Sequence, residues 1–144
     1  MNRYLCAFMT VAVVSVLTVH AGDDKKGATP LEGEWTALTW RRGDAEIGKD
    51  KVATELVVKK DTYEYPTGIN KISKKGTFKV DEKKGTIDFT PDDGPAKGKT
   101  LLGIYKVDGD MLTLCFTVAG MARPTELKSG ERTTVLATYQ RKKK

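Results

Sequence analysis

Beyond residue 33, almost every apolar stretch of this chain is four to eight residues long, rich in Val, Leu, Ile, Thr, Tyr and Phe, and bounded by Gly, Pro, Asp or Lys clusters. Such punctuation leaves no room for long amphipathic helices and reads as a succession of short strands. Strands are expected at 34–41, 53–58, 62–65, 76–80, 86–90, 101–107, 111–118 and 133–141. Helical character is confined to 44–56, where Asp50 would act as an N-cap for one or two turns at most.

An internal repeat sharpens this reading. Gly76-Thr77-Phe78-Lys79-Val80-Asp81 followed by Thr86-Ile87-Asp88-Phe89-Thr90 realigns at an offset of 27 with Gly103-Ile104-Tyr105-Lys106-Val107-Asp108 followed by Thr113-Leu114-Cys115-Phe116-Thr117. Each copy reads as a hairpin. In the second, Asp108-Gly109 is a type I′ turn signal, because both residues tolerate the positive φ that such a turn demands. That turn sets Tyr105 opposite Leu112, Gly103 opposite Leu114 and Leu101 opposite Phe116. A four-residue loop would shift the pairing by two and keep every side chain on its face. Either register directs Phe78, Val80, Ile87, Phe89, Leu101, Tyr105, Val107, Leu112, Leu114 and Phe116 inward, and Lys79, Asp88, Lys106, Thr113 and Thr117 outward. One wet face and sequential hairpins imply an all-β, antiparallel up-and-down sheet. Eight such strands close into a small barrel whose interior is filled by side chains or holds one ligand. Gly76 and Gly103, on the inner face, either leave room there or mark bends.

Residues 1–21 are expected to be a signal peptide: Asn2 and Arg3 precede an uncharged apolar run over 4–19, and Val19-His20-Ala21 offers a cleavage site. The run is too short and too poorly flanked for a spanning helix, although an uncleaved anchor is the alternative. Cys6 lies at the wrong end of the run for lipid attachment. Export to the periplasm or the exterior follows, with 22–30 as a flexible tail, 31–141 as the single domain and 142–144 as a basic C-terminal tail, leaving no stable membrane span after cleavage. Without Arg3 the remaining 123 residues carry 24 basic against 19 acidic side chains, a mild net charge of +5. The positives fall as turn doublets without the interleaved aromatics of single-strand binders, so nucleic acid is not an expected partner.

The same cut removes Cys6 and His20, leaving Cys115 alone and no histidine. Ser-His-Asp and Cys-His chemistry and histidine-based metal sites are thereby excluded. Cys115 has no identifiable activating partner and reads as a packing residue. Asp92-Asp93-Gly94 and Asp108-Gly109-Asp110 lack the ligand series of a calcium loop and read as turns. Gly98-Lys99-Thr100 lacks the first P-loop glycine, since position 93 is Asp, and a strand rather than a helix follows. No catalytic residue, metal ligand or cofactor site is assigned, and the chain is not expected to be an enzyme.

Gly33-Glu34-Trp35 at the start of the first strand resembles the Gly-x-Trp signature of lipocalins, in which a basic residue from the last strand packs across the Trp ring. The resemblance gives that role to Arg141, so that Gly33, Trp35 and Arg141 form a structural signature. A wider resemblance rests on Leu31-Glu32-Gly33-Glu34-Trp35, Gly98-Lys99-Thr100-Leu101-Leu102-Gly103-Ile104-Tyr105, Val107-Asp108-Gly109-Asp110-Met111-Leu112-Thr113-Leu114-Cys115 and Arg123-Pro124-Thr125-Glu126. Together these look like a family of small uncharacterised domains abundant in planctomycete bacteria, over roughly residues 30–141. Leu127 stands where members commonly carry an aromatic. The resemblance implies a lipocalin-like, calycin-type barrel and no particular activity.

Two functions compete. In the first, the barrel binds a small apolar or amphipathic ligand at its open end, with Tyr63, Tyr65, Tyr105 and Arg123 as ligand-binding residues and with Trp35 and Phe116 filling the core. In the second, it is an envelope module that binds a protein or polymer through its outer face. There Leu102, Ile104 and Met111 are apolar at nominally wet positions, beside the 120–130 connection.

Overall fold

The computed structural model describes residues 29–66 and 74–144; the expected signal and residues 22–28 of the expected tail lie outside the described residues. The chain is all-β. Its strands are β1 (Gly33–Arg42), β2 (Ala45–Glu46), β3 (Glu55–Lys59), β4 (Thr62–Glu64), β5 (Lys75–Asp81), β6 (Thr86–Pro91), β7 (Leu101–Asp108), β8 (Met111–Thr117) and β9 (Thr134–Arg141). All pairings are antiparallel between sheet neighbours, and β9 pairs back onto β1. Apart from the two-residue β2, the strands form a closed eight-stranded up-and-down barrel of the lipocalin-like type. Closure removes both sheet edges and turns one face of every strand into an interior.

The helical element is smaller than the sequence implied. A 3₁₀ turn spans Lys49–Lys51 with Gly48 at its N-cap, so Asp50 lies within the turn instead of capping it. β3 starts at Glu55 because Leu56 and Val58 alternate into the core, which outweighs the local helical pattern. The second repeat hairpin takes the shifted register, with Tyr105 opposite Leu114, Gly103 opposite Phe116 and Val107 opposite Leu112. Its turn carries positive φ at Gly109 (58°) and not at Asp108 or Asp110, so it is not type I′. A shift of two leaves the faces unchanged, and Phe78, Ile87, Phe89, Leu112 and Leu114 are all buried.

Besides the short β2, which pairs with its last two residues, β1 serves two barrel neighbours, β3 along Gly33–Thr36 and β9 from Trp35 to Arg42. Its pairing with β9 is interrupted by a bulge between Ala37 and Thr39, which turns Leu38 outward. Trp35 and Trp40 are an odd number of residues apart and belong on opposite faces of a regular strand. The extra residue resets the alternation, so both indoles are buried in the core.

One end of the barrel is sealed by Trp35. Its indole Nε1 donates to the Leu31 carbonyl at 2.8 Å, and the Arg141 guanidinium lies 4.1 Å from the ring centroid. Arg141 also donates from Nη1 to Glu32 O (2.7 Å) and from Nη2 to Pro30 O (3.0 Å), stapling the incoming chain across this end. Gly33 sits at φ 137° against that guanidinium, where a Cβ would come within 2.8 Å of Nη1. Lys142, the first residue of the expected basic tail, is anchored too, with Nζ 2.6 Å from Glu55 Oε1 and its backbone N–H donating to Glu34 O. Replacing Arg141 with Met removes the cation over the indole and the charged donors to two carbonyls. The unfolding free energy should fall by about 2–3 kcal/mol, seen as a lower urea midpoint with an unchanged slope.

Candidate functional site

The opposite end is open. A cavity of about 390 Å³ enters there between the ends of β1, β4, β6 and β8, the start of β9 and the 92–100 connection. It falls within the range of small-molecule sites, roughly 300–1,000 Å³. The sealed half is filled instead: a void among Leu56, Phe78, Leu112 and Leu114 amounts to about 10 Å³.

Five aromatic side chains surround the cavity in a continuous circuit. Trp40 meets Tyr65 (ring centroids 6.2 Å apart), Tyr65 meets Tyr63 (5.8 Å), Tyr63 meets Phe89 (5.4 Å), Phe89 meets Phe116 (5.7 Å), and Phe116 returns to Trp40 (6.3 Å). All five contacts are edge-to-face, the arrangement in which the positive edge of one ring meets the negative face of the next. All five residues line the cavity. Each ring is held on two sides, so the collar is preformed rather than assembled around a ligand.

Inner-face glycines make the collar fit. Tyr63 lies directly across from Gly76, where an added Cβ would sit 2.7 Å from the Tyr63 hydroxyl and 2.9 Å from Pro91 Cα, and closer still to Thr90 O. Phe116 lies across from Gly103, where a Cβ would meet Phe116 Cβ at 3.0 Å and Cys115 O at 2.9 Å. The missing side chains are therefore the seats of two collar rings. Gly76→Ala should cost about 1–3 kcal/mol by overpacking and push Tyr63 into the cavity, measured as a lower urea midpoint together with a shifted Tyr63 ring resonance.

Below the collar, Tyr139 is fully buried, with its ring 6.2 Å from Trp40. Its hydroxyl lies near those of Tyr65 and the Trp40 indole, yet neither Tyr139 Oη nor Trp40 Nε1 has a partner of good hydrogen-bond geometry among the described residues. Burial drives the Tyr65 and Tyr139 phenols well above the ordinary tyrosine range. In the unfolded chain both would ionise near pH 10. The folded state keeps protons that the unfolded state releases, so this contribution to stability is complete below about pH 10 and is lost as pH rises above it. In an alkaline titration followed by tyrosinate absorbance, these two residues should ionise only as the barrel unfolds.

The four expected ligand-binding residues separate in space. Tyr63 and Tyr65 line the cavity. Tyr105 faces inward but is displaced toward the sealed end, opposite Leu114, where burial and the neighbouring Glu82 and Asp81 raise its pKa. Gly103, not Tyr105, is the β7 residue across from the collar ring Phe116, and Tyr105 stands two residues further from the mouth. Arg123 lies outside the barrel altogether. Its Nη1 donates to the carbonyls of Gly103 (2.7 Å) and Ile87 (3.3 Å), and Nη2 is 2.6 Å from Asp88 Oδ1. It straps the 118–133 connection across the outer surface, where Cys115 is buried and donates from Sγ to Lys128 O at 3.5 Å. Thr117, expected outside and exposed, is buried there and donates to Leu102 O. Leu102 and Ile104 are half-buried, and Met111 is exposed.

Phe116, expected as core filling, is a cavity wall, and Trp35 is the plug of the other end. Trp40, Arg42 and Lys99 were not foreseen as site residues. The signal for Trp40 was the adjacent apolar pair Ala37-Leu38, a break in alternation that marks a bulge. For Arg42 and Lys99 no local signal exists, because exposed basic residues at strand ends are ordinary. Comparison with known proteins adds no relative: no family model, curated protein or solved structure matches the chain.

Proposed function

We propose that this chain is an exported, non-catalytic barrel that binds one small apolar or amphipathic molecule at its open end. The observation that carries the reading is the aromatic collar around an open cavity of about 390 Å³, in a barrel whose other half is packed solid. An eight-stranded barrel has just enough interior to be filled or to hold one small ligand, and here the two solutions occupy opposite ends. Rigid rings with little conformational entropy to lose are efficient binding walls. Support for export is the charged start and apolar run of residues 1–21. Support for a binding rather than catalytic role is chemical: the barrel sequence has no histidine, and burial raises the pKa of its lone cysteine thiol, Cys115.

Native mass spectrometry of the protein recovered gently from its own host tests the proposal. The expected spectrum shows an added small-molecule mass that disappears on denaturation and is absent from an Ala96→Trp variant, whose indole would occupy the mouth from the 92–100 connection. Protein that carries no small molecule and shows no saturable uptake of apolar fluorophores would overturn the reading. A stable complex with another protein, unaffected by Ala96→Trp, would replace it with the envelope-partner function.

A further inference from the structure

The mouth of the cavity is electrically one-sided. Among the described residues two charged side chains line it, Arg42 at the end of β1 and Lys99 in the 92–100 connection, and no carboxylate does. Neither cation forms an ion pair among the described residues. Arg42 is oriented by donation from Nε to Arg132 O at 2.7 Å, which leaves its terminal nitrogens for another acceptor. The carboxylates of the same connection, Asp92 and Asp93, do not line the cavity, and Asp93 accepts from the Lys74 backbone N–H at 2.9 Å. Asp44, just before β2, and Glu46, within it, are exposed and do not line it either. Deeper in, the collar offers only rings and phenols.

Resting on the ligand-binding reading above, we infer that the cavity takes an amphipathic anion, its apolar body seated in the aromatic collar and its acidic head held at the rim by Arg42 and Lys99. The polarity of insertion follows from desolvation. A charged head placed among the rings would lose its water without a counter-charge, whereas at the rim it keeps part of its hydration and gains two cations. Low-dielectric walls beneath the rim concentrate the field of those cations toward the opening. A cationic amphiphile meets repulsion at the same place, and a neutral one gains nothing from it. A carboxylate and a phosphate monoester share the required chemistry.

Calorimetric titration of the full chain with decanoate, decyl phosphate, 1-decanol and decylammonium, each below its micelle concentration, isolates the head group on one constant tail. The better of the two anions is expected to bind about tenfold more tightly than 1-decanol, with decylammonium weakest; which anion leads identifies the head. In the Arg42→Gln, Lys99→Gln double variant that preference should vanish while 1-decanol binds as before, which also reports an intact fold and collar. Equal affinities for anion and alcohol, tighter binding of the ammonium, or an anion preference that survives in the double variant would each overturn the anion inference and leave the barrel-ligand reading standing. Failure of all four probes, joined by an empty native spectrum, would remove the underlying reading itself.

Discussion

The pairing of β1 with β9 is the constraint on which the rest of this molecule depends. A meander of eight short, strongly twisted strands has two edges and one apolar face, and neither is stable in water until the first strand meets the last. β1 can serve both β3 and β9 because it is the longest strand and because the bulge at Leu38 bends it at the point where its partnership changes. The same bulge directs Trp40 into the interior. Closure and the aromatic wall of the cavity therefore share one local cause.

Within the closed barrel, side-chain size divides the interior into two unlike halves. Toward the sealed end, Trp35, Leu56, Phe78, Leu112, Leu114 and Tyr139 interdigitate, and Arg141 ties the incoming chain over them. Toward the open end, large rings from β1, β4, β6 and β8 lean on one another around a space instead of filling it. Glycines on the intervening strands β5 and β7 allow the rings to lie against the wall. Where a Leu or Val stood at Gly76, Tyr63 would be forced inward and the opening would narrow. The preformed cavity is thus held by packing contacts that do not need a ligand to complete them.

Much of this architecture was legible in the chain. Strand positions, inward faces, the meander and the two-sided role of the inner glycines follow from a period of two and from turn residues, both of which are short-range signals. Tyr63 and Tyr65 could be placed near a mouth because Pro66 ends their strand. Tyr105 could not be placed, since a hairpin register that slips by two keeps the face but moves the residue along the barrel axis. Arg123 was equally opaque: only the path of the 118–133 connection decides whether its guanidinium meets the interior or, as found, the carbonyls of Gly103 and Ile87 on the outside.

The sequence by itself determined the fold class, the inward and outward faces, and the absence of histidine chemistry from the barrel, because these depend on composition and on neighbours in the chain. Tertiary structure alone decided which inward residues fill and which surround a space, and that Arg42 and Lys99, 57 positions apart, stand at one opening. The physical reason is closure. A strand knows which side is wet from its own alternation, but what lies across the barrel, and which charges share its rim, depends on how far each strand is displaced along its neighbour before the last one meets the first.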